Sequence, residues 1–265
     1  MYATSYHRPS SVSEAAALLA ATDEAKYVSG GMTLIPTMKQ RLAAPAALVD
    51  LRHVADMKGI RIDGSRVRIG AATPHADVAA SSALRSACPA VTVLAGLIGD
   101  PHVRHMGTIG GSIANNDPAA DYPALALALG ATIVTDRREI AADDFFTGLF
   151  ETALEAGELV TAITFDLPEK AGYAKFRNPA SRYAMTGVFV ARRGGNVRVA
   201  VTGAGADGVF RQSDMEAALA GNWSTDALSG ITVPSSGLLS DIHGDSDYRA
   251  NLVKVMAKRA VLAAG

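Results

Sequence analysis

Two pairs of adjacent glycines hold the residues of this chain best suited to bind a ligand. The first stands in Val28-Ser29-Gly30-Gly31-Met32-Thr33, between a strand-like run over residues 26–29 and a helical pattern over 33–41. Glycines let a backbone approach a ligand closely, and N–H groups exposed where a helix begins favour an anion such as a phosphate. The spacing is neither the G-x-G-x-x-G of a dinucleotide fold nor a P-loop, because no Gly-Lys-Ser/Thr follows. The second pair lies in a longer polar run, Gly99-Asp100-Pro101-His102-Val103-Arg104-His105-Met106-Gly107-Thr108-Ile109-Gly110-Gly111-Ser112. It continues through Asn115-Asn116-Asp117-Pro118 to Asp121. Such a density of small and polar residues suits a wall that offers backbone donors to a polar ligand while Asn and Asp side chains fix its edges.

Other groupings carry less. His102 and His105 are three apart with Asp100 near, but no third histidine or cysteine pair completes a metal set, so they read as loop residues facing a ligand or a partner. Cys88, in an apolar run before Pro89, reads as a small core residue. Asp143-Asp144 ahead of Phe145-Phe146 reads as a solvated helix cap over a core phenylalanine. Ser181-Arg182-Tyr183 offers an aromatic that serves equally as a ligand contact or as a domain-junction tyrosine. No nucleophile elbow, Ser/His/Asp arrangement or kinase element occurs, which argues against a self-standing hydrolase or transferase.

Alternating helix and strand signals must position these loops. Ser11 and Glu14 have capping-box spacing ahead of an Ala/Leu helix over 15–20. Thr33 is a candidate cap for the helix over 33–41, with Pro36 in its first turn. Residues 47–51 read as a strand, and 59–62 with 66–69 as a hairpin around Asp63-Gly64. The middle is helical over 74–80, 87–98 and 118–128, with strands at 131–135 and 159–165. A Pro/Gly/charge break over 167–172 marks a domain boundary. Beyond it, 187–192 and 197–203 alternate as an antiparallel pair around Gly194-Gly195, followed by helices over 214–220 and 247–264, the latter amphipathic. The pattern is α+β.

Composition narrows the classes. In 265 residues, 49% hydrophobic against 19% charged describes a globular chain with a sizeable core. Twenty-five Lys+Arg against 26 Asp+Glu leave a net charge of −1, with no electrostatic footprint for nucleic acid or an anionic membrane. No stretch reaches 18 uninterrupted apolar residues and no secretory pattern opens the chain, so neither a membrane span nor export is expected; the expected place is the cytoplasm. The single cysteine excludes an internal disulfide and any iron–sulfur cluster held by this chain alone.

Taken in order, Ser29 to Lys39, Gly107 to Ser112, Asp117 to Pro123, Gly172-Tyr173-Ala174-Lys175-Phe176-Arg177 and Met185-Thr186-Gly187 resemble the FAD-binding medium subunit of molybdenum hydroxylases, the xanthine dehydrogenase and carbon monoxide dehydrogenase relatives. The resemblance spans nearly the whole chain. It implies a two-lobed FAD-binding domain of the vanillyl-alcohol-oxidase (PCMH) type over residues 1–168, with lobes of about 1–55 and 56–168, followed by a small C-terminal α+β domain over 169–265. It also implies that Val28, Ser29, Gly30, Gly31, Met32 and Thr33 wrap the FAD pyrophosphate. Thr108, Gly110, Gly111, Ser112, Asn115 and Asp121, with Ala95 nearby, would approach the flavin and the rest of the cofactor, and Lys175 would reach the flavin edge. The sequence departs from the family pattern at Ser112, where Asn is commoner, at Met32, where a polar residue is usual, and at Asn115-Asn116, where His-Ala is frequent. No residue is implied to be catalytic, and no metal is bound by this chain.

The implied partners are a small subunit with two [2Fe-2S] clusters and a large molybdopterin subunit, assembled as a dimer of heterotrimers. Electrons would pass from the clusters through FAD to an external acceptor, and the cluster cysteines would sit on the partner. Two other readings are a self-contained FAD oxidase of the same fold superfamily and a non-redox nucleotide-binding scaffold. The first needs a substrate-binding cap, for which residues 172–265 are short.

Overall fold

Three short strands make the first sheet of the computed structural model, which describes all 265 residues. β1 (Ser5–His7), helix α1 (Val12–Ala20), β2 (Lys26–Val28), helix α2 (Leu34–Lys39) and β3 (Ala47–Asp50) follow in order, and β3 lies between β1 and β2, parallel to both. Every residue of β3 is buried, as a central parallel strand requires. The Ser11 hydroxyl accepts from the Glu14 amide at 3.1 Å, and the Glu14 carboxylate accepts from the Ser10 amide at 2.7 Å. Thr33 departs from its expected role. It precedes α2, but its backbone is already helical (φ −103°, ψ −53°) and its side chain makes no capping bond.

The second sheet is antiparallel. β4 (Ile60–Asp63) and β5 (Arg66–Gly70) form the hairpin expected around Asp63-Gly64, with Gly64 at φ +55°. Six helices follow: α3 (His75–Ala80), α4 (Ser82–Ala87), α5 (Pro89–Gly96), α6 (Pro101–Met106), α7 (Ile109–Asn115) and α8 (Tyr122–Ala128). The helix expected over 87–98 is α5, which starts at Pro89, and the residues just before it form a separate short helix, α4, capped by Ser81 through the Leu84 amide. α8 starts at Tyr122 rather than at Pro118. The Pro118 and Ala120 carbonyls accept from the Thr202 hydroxyl, and the Gly203 amide also donates to Pro118, which holds this segment out of the helix. β6 (Thr132–Thr135), β7 (Glu139–Ala141), helix α9 (Ala142–Phe145), the hairpin β8 (Phe146–Gly148) and β9 (Glu151–Thr152), and β10 (Val160–Asp166) complete this part, with sheet order β4-β5-β10-β6-β7. Asp143 pairs with Arg198 and Arg211 instead of capping α9, while Phe145 is buried in the core as expected.

β11 (Lys170–Arg177), β12 (Ala184–Arg193), β13 (Asn196–Thr202) and β14 (Phe210–Arg211) form a third, antiparallel sheet in sequence order. Its strands alternate cleanly. Tyr173, Phe189, Ala191 and Ala200 join the large core shared with the second sheet. Val188, Val190, Val197, Val199 and Val201 join a separate core under helices α10 (Ser213–Gly221) and α11 (Ser246–Ala263). α11 presses directly on β11: a Cβ at Gly172 would lie 1.9 Å from the Ala260 carbonyl. Cys88 is buried, and burial pushes its thiol up to about 11. No helix is long and apolar enough to cross a membrane.

Candidate functional site

A cleft of about 570 Å³ opens where the three sheets meet, a size ordinary for a ligand site. One wall is the turn between β2 and α2. There the N–H groups of Gly30, Gly31, Met32 and Thr33 make no hydrogen bond within the chain. Gly31 takes a left-handed φ of +69°, which puts these unpaired donors on the backbone geometry of an anion-binding nest. All six residues of the first glycine segment, from Val28 to Thr33, line the cleft.

The opposite wall is α7 with the residues before it. Thr108, Gly110, Gly111, Ser112, Asn115 and Asp121 line it as well. This wall does not offer the backbone donors expected from its glycines. The Ile109 amide bonds Thr73 O, Gly110 bonds Ala71 O, Gly111 bonds the Thr108 hydroxyl at 3.2 Å and Ser112 bonds Thr108 O. The reason is that the segment folds as a helix capped by Thr108 and laid against the Ala71 and Thr73 carbonyls, so its first amides are already paired. Its glycines serve close approach instead. A Cβ at Gly110 would lie 2.4 Å from the Ala71 side chain, so α7 packs flat on the end of β5, whereas Gly111 is exposed to the cleft.

The two walls are stitched together. The Ser29 and Thr108 hydroxyls hydrogen-bond at 2.8 Å, and a Cβ at Gly30 would lie 2.3 Å from the Met106 carbonyl and 2.5 Å from Gly107 Cα. Neither glycine segment is therefore a free loop. Asn116, next to the lining Asn115, turns away in a left-handed conformation (φ +41°) and donates to the carbonyls of Gly148 and Glu151, which fixes the β8–β9 hairpin.

The third side comes from β11 and the turn before β12, through Lys175, Ser181, Arg182 and Tyr183. The Lys175 ammonium is buried; it donates to Asp121 Oδ2 at 2.9 Å and to the Leu97 carbonyl at 3.1 Å, and the Tyr173 hydroxyl donates to the other Asp121 oxygen. Two of three ammonium protons are thus engaged, leaving one for a ligand. Burial pushes the Asp121 carboxyl upward against Lys175 and Tyr173, which favour its charged form, and burial also raises the Asp117 carboxyl beside it. Tyr183 is half exposed at the rim, and burial raises its phenol.

Of the fourteen residues singled out from the sequence, thirteen line this cleft; Ala95 lies fully buried on α5 and does not. His102 and His105 sit exposed on α6. The fold adds residues that no local motif marked: Leu51 just after β3, Met57 in the turn between β3 and β4, Ala71 just after β5, the Leu154 and Glu158 to Val160 stretch, and His75. Other additions, among them Leu34, Gly99, Val103, Gly107, Asp117 and Ser181 to Tyr183, lay inside segments already noticed. Glu158 braces the structure there, since Arg138 above all, with the Glu155 amide and Thr135, holds its carboxyl down at about 2.

A family model described as "FAD binding domain in molybdopterin dehydrogenase" matches residues 2–168. The chain is 35% identical to the carbon monoxide dehydrogenase medium chain of Hydrogenophaga pseudoflava, over 98% of this chain and 96% of that one. It is 33% identical to the nicotine 6-hydroxylase medium subunit of Paenarthrobacter nicotinovorans, again over 98% and 96%. Among solved structures, reconstituted CO dehydrogenase from Oligotropha carboxidovorans superposes with a TM-score of 0.88 at 36% identity, covering 99% and 98% of the two chains. Quinoline 2-oxidoreductase from Pseudomonas putida 86 superposes with a TM-score of 0.83 at 27% identity, covering 99% and 97%.

Proposed function

The chain belongs to the FAD-binding medium subunits of molybdenum hydroxylases, and from that premise we propose which residues hold the cofactor and how the subunit is fed with electrons. It is an oxidoreductase subunit that binds FAD and passes electrons in a heteromeric complex. The fit to FAD rests on one observation above all: four consecutive unpaired N–H groups, Gly30 to Thr33, on a left-handed turn that faces a cleft. A dinucleotide's pyrophosphate is the part of FAD that such donors suit.

In this reading, Val28 to Thr33 hold the pyrophosphate. Gly111 gives a wall without a side chain along which the cofactor lies, and Thr108, Gly110, Ser112, Asn115 and Asp121 complete that side. The third proton of Lys175 is directed to the flavin edge, where a cation favours negative charge on a reduced ring. Asp121 then keeps that cation in place. Ala95 supports the same side from the core. Bound FAD accepts one electron or two, which suits it to stand between one-electron centres and a final acceptor.

The partners in this reading are a small subunit with two [2Fe-2S] clusters and a large molybdopterin subunit, joined as a dimer of heterotrimers in the cytoplasm. With one cysteine, this chain cannot supply the clusters itself. The fold is read as the vanillyl-alcohol-oxidase type, with FAD-binding lobes of about 1–55 and 56–168 and a C-terminal domain over 169–265. The partition of the sheets supports that division, since their strands run over 5–50, 60–166 and 170–211. Titration of flavin-free protein with FAD, followed by quenching of flavin fluorescence, tests the assignment. Saturation at one FAD per chain is expected; absence of binding sinks it.

A further inference from the structure

His75 opens α3 directly after Pro74 and is 5% exposed, yet neither ring nitrogen finds a partner within the chain. Nδ1 is sealed from solvent with nothing to bond. Nε2 is the other ring nitrogen, and the residue lines the cleft. The ring is firmly held. Its own amide donates to Gly107 O at 2.9 Å, Pro74 bridges Thr108, and the imidazole packs on the Tyr122 ring with centroids 5.3 Å apart. Gly107 leaves it room, since a Cβ there would lie 2.6 Å from Nε2. Burial, with the Arg104 guanidinium nearby, holds the imidazole down at about 4, so it is neutral at neutral pH.

The position of the single proton on a neutral ring follows from these constraints. A buried N–H without an acceptor is costlier and rarer than a buried lone pair without a donor. Nδ1, wholly enclosed, therefore keeps the lone pair, and the proton resides on Nε2 at the cleft. A rigid, uncharged donor is thus held against the backbone segment that carries Thr108 and Gly111, with nothing in the chain to accept from it.

We propose that His75 is a cofactor-binding residue, whose Nε2–H donates a hydrogen bond to a polar atom of the FAD in the cleft. This rests on the reading that the cleft binds FAD, and the test separates the two. The first measurement is the imidazole 15N spectrum of the flavin-free chain and of the chain saturated with FAD. The Nε2-protonated pattern is expected before addition, and displacement of the Nε2–H resonance on binding. The second compares His75→Leu, His75→Asn and His75→Gln by FAD titration. Gln places its amide near the Nε2 position, whereas Asn reaches only toward Nδ1. Leu and Asn are expected to weaken FAD binding about tenfold, the scale of one lost hydrogen bond, with Gln close to wild type. Melting temperatures of the flavin-free variants guard against a purely structural effect. An Nε2 resonance unmoved by bound FAD, or wild-type affinity in His75→Leu, overturns the proposal while leaving FAD binding intact. A wild-type chain that takes up no FAD overturns the parent reading instead.

Discussion

Gly111→Val separates cofactor binding from folding. A Cβ at Gly111 meets only the Thr108 hydroxyl oxygen at 3.0 Å and Ser29 Cβ at 3.9 Å; the remaining space is the cleft. In α7, replacing Gly by Val gains about 0.5 kcal/mol of helix propensity, and easing the Thr108 contact costs a similar amount. The flavin-free variant should therefore lie within about 1 kcal/mol of wild type, a melting shift of no more than roughly 4 °C at this chain length. A bound cofactor, however, meets a branched side chain where the wall was bare. Overpacking of about 1–3 kcal/mol translates into roughly five- to 150-fold weaker FAD binding. Gly30→Ala is the contrasting change, because its Cβ would lie 2.3 Å from a backbone carbonyl and the seam between the walls must open. It should lose stability and FAD together. The assay is fluorescence titration with FAD alongside thermal melts of the stripped proteins. Wild-type FAD affinity in Gly111→Val, with an unchanged melt, would refute the assignment of α7 as the cofactor wall.

Lys175→Met leaves the buried Asp121 carboxylate without its cation and should cost about 3–5 kcal/mol in urea unfolding, with Lys175→Met/Asp121→Asn recovering part of the loss. The pH dependence has a definite sign at His75, whose imidazole is near 4 when folded against 6.5 when unfolded. The unfolded chain binds the extra proton between these values, so flavin-free stability falls by about 3 kcal/mol as pH drops from 6.5 to 4. His75→Gln should flatten that part of the curve; an equally steep decline in the variant would place its origin elsewhere. Asn116→Ala removes two hydrogen bonds to the β8–β9 hairpin, at 2.9 and 2.8 Å, and should speed proteolytic cleavage at the exposed Leu149 and Phe150. Cleavage at the wild-type rate would show that the hairpin is held by other contacts.

Much of the fold is legible in the sequence where local chemistry decides it. The Asp63-Gly64 and Gly194-Gly195 turns, the alternation of β12 and β13 and the Ser11 cap all follow from spacing within a few residues. What escapes local reading is set by distant partners. Residues 118–120 stay out of α8 because Thr202 and Gly203 hold their carbonyls, and Asp143 turns from cap to ion pair because Arg198 and Arg211 arrive from the third sheet. The same holds for the cleft. Both glycine segments are conspicuous in the sequence, but the one with free donors and the one with none are distinguished only by what Ala71, Thr73 and Thr108 accept. His75 carries no local signal at all, since its significance lies in a nitrogen that the rest of the chain leaves without a partner.

The flavin content of the natively isolated protein tests FAD binding by this chain most directly. Acid extraction of the chain recovered with its partner subunits should release one FAD per chain, and the same extraction from Gly111→Val should release little. A partner-bound wild-type chain that yields no flavin would contradict the central claim.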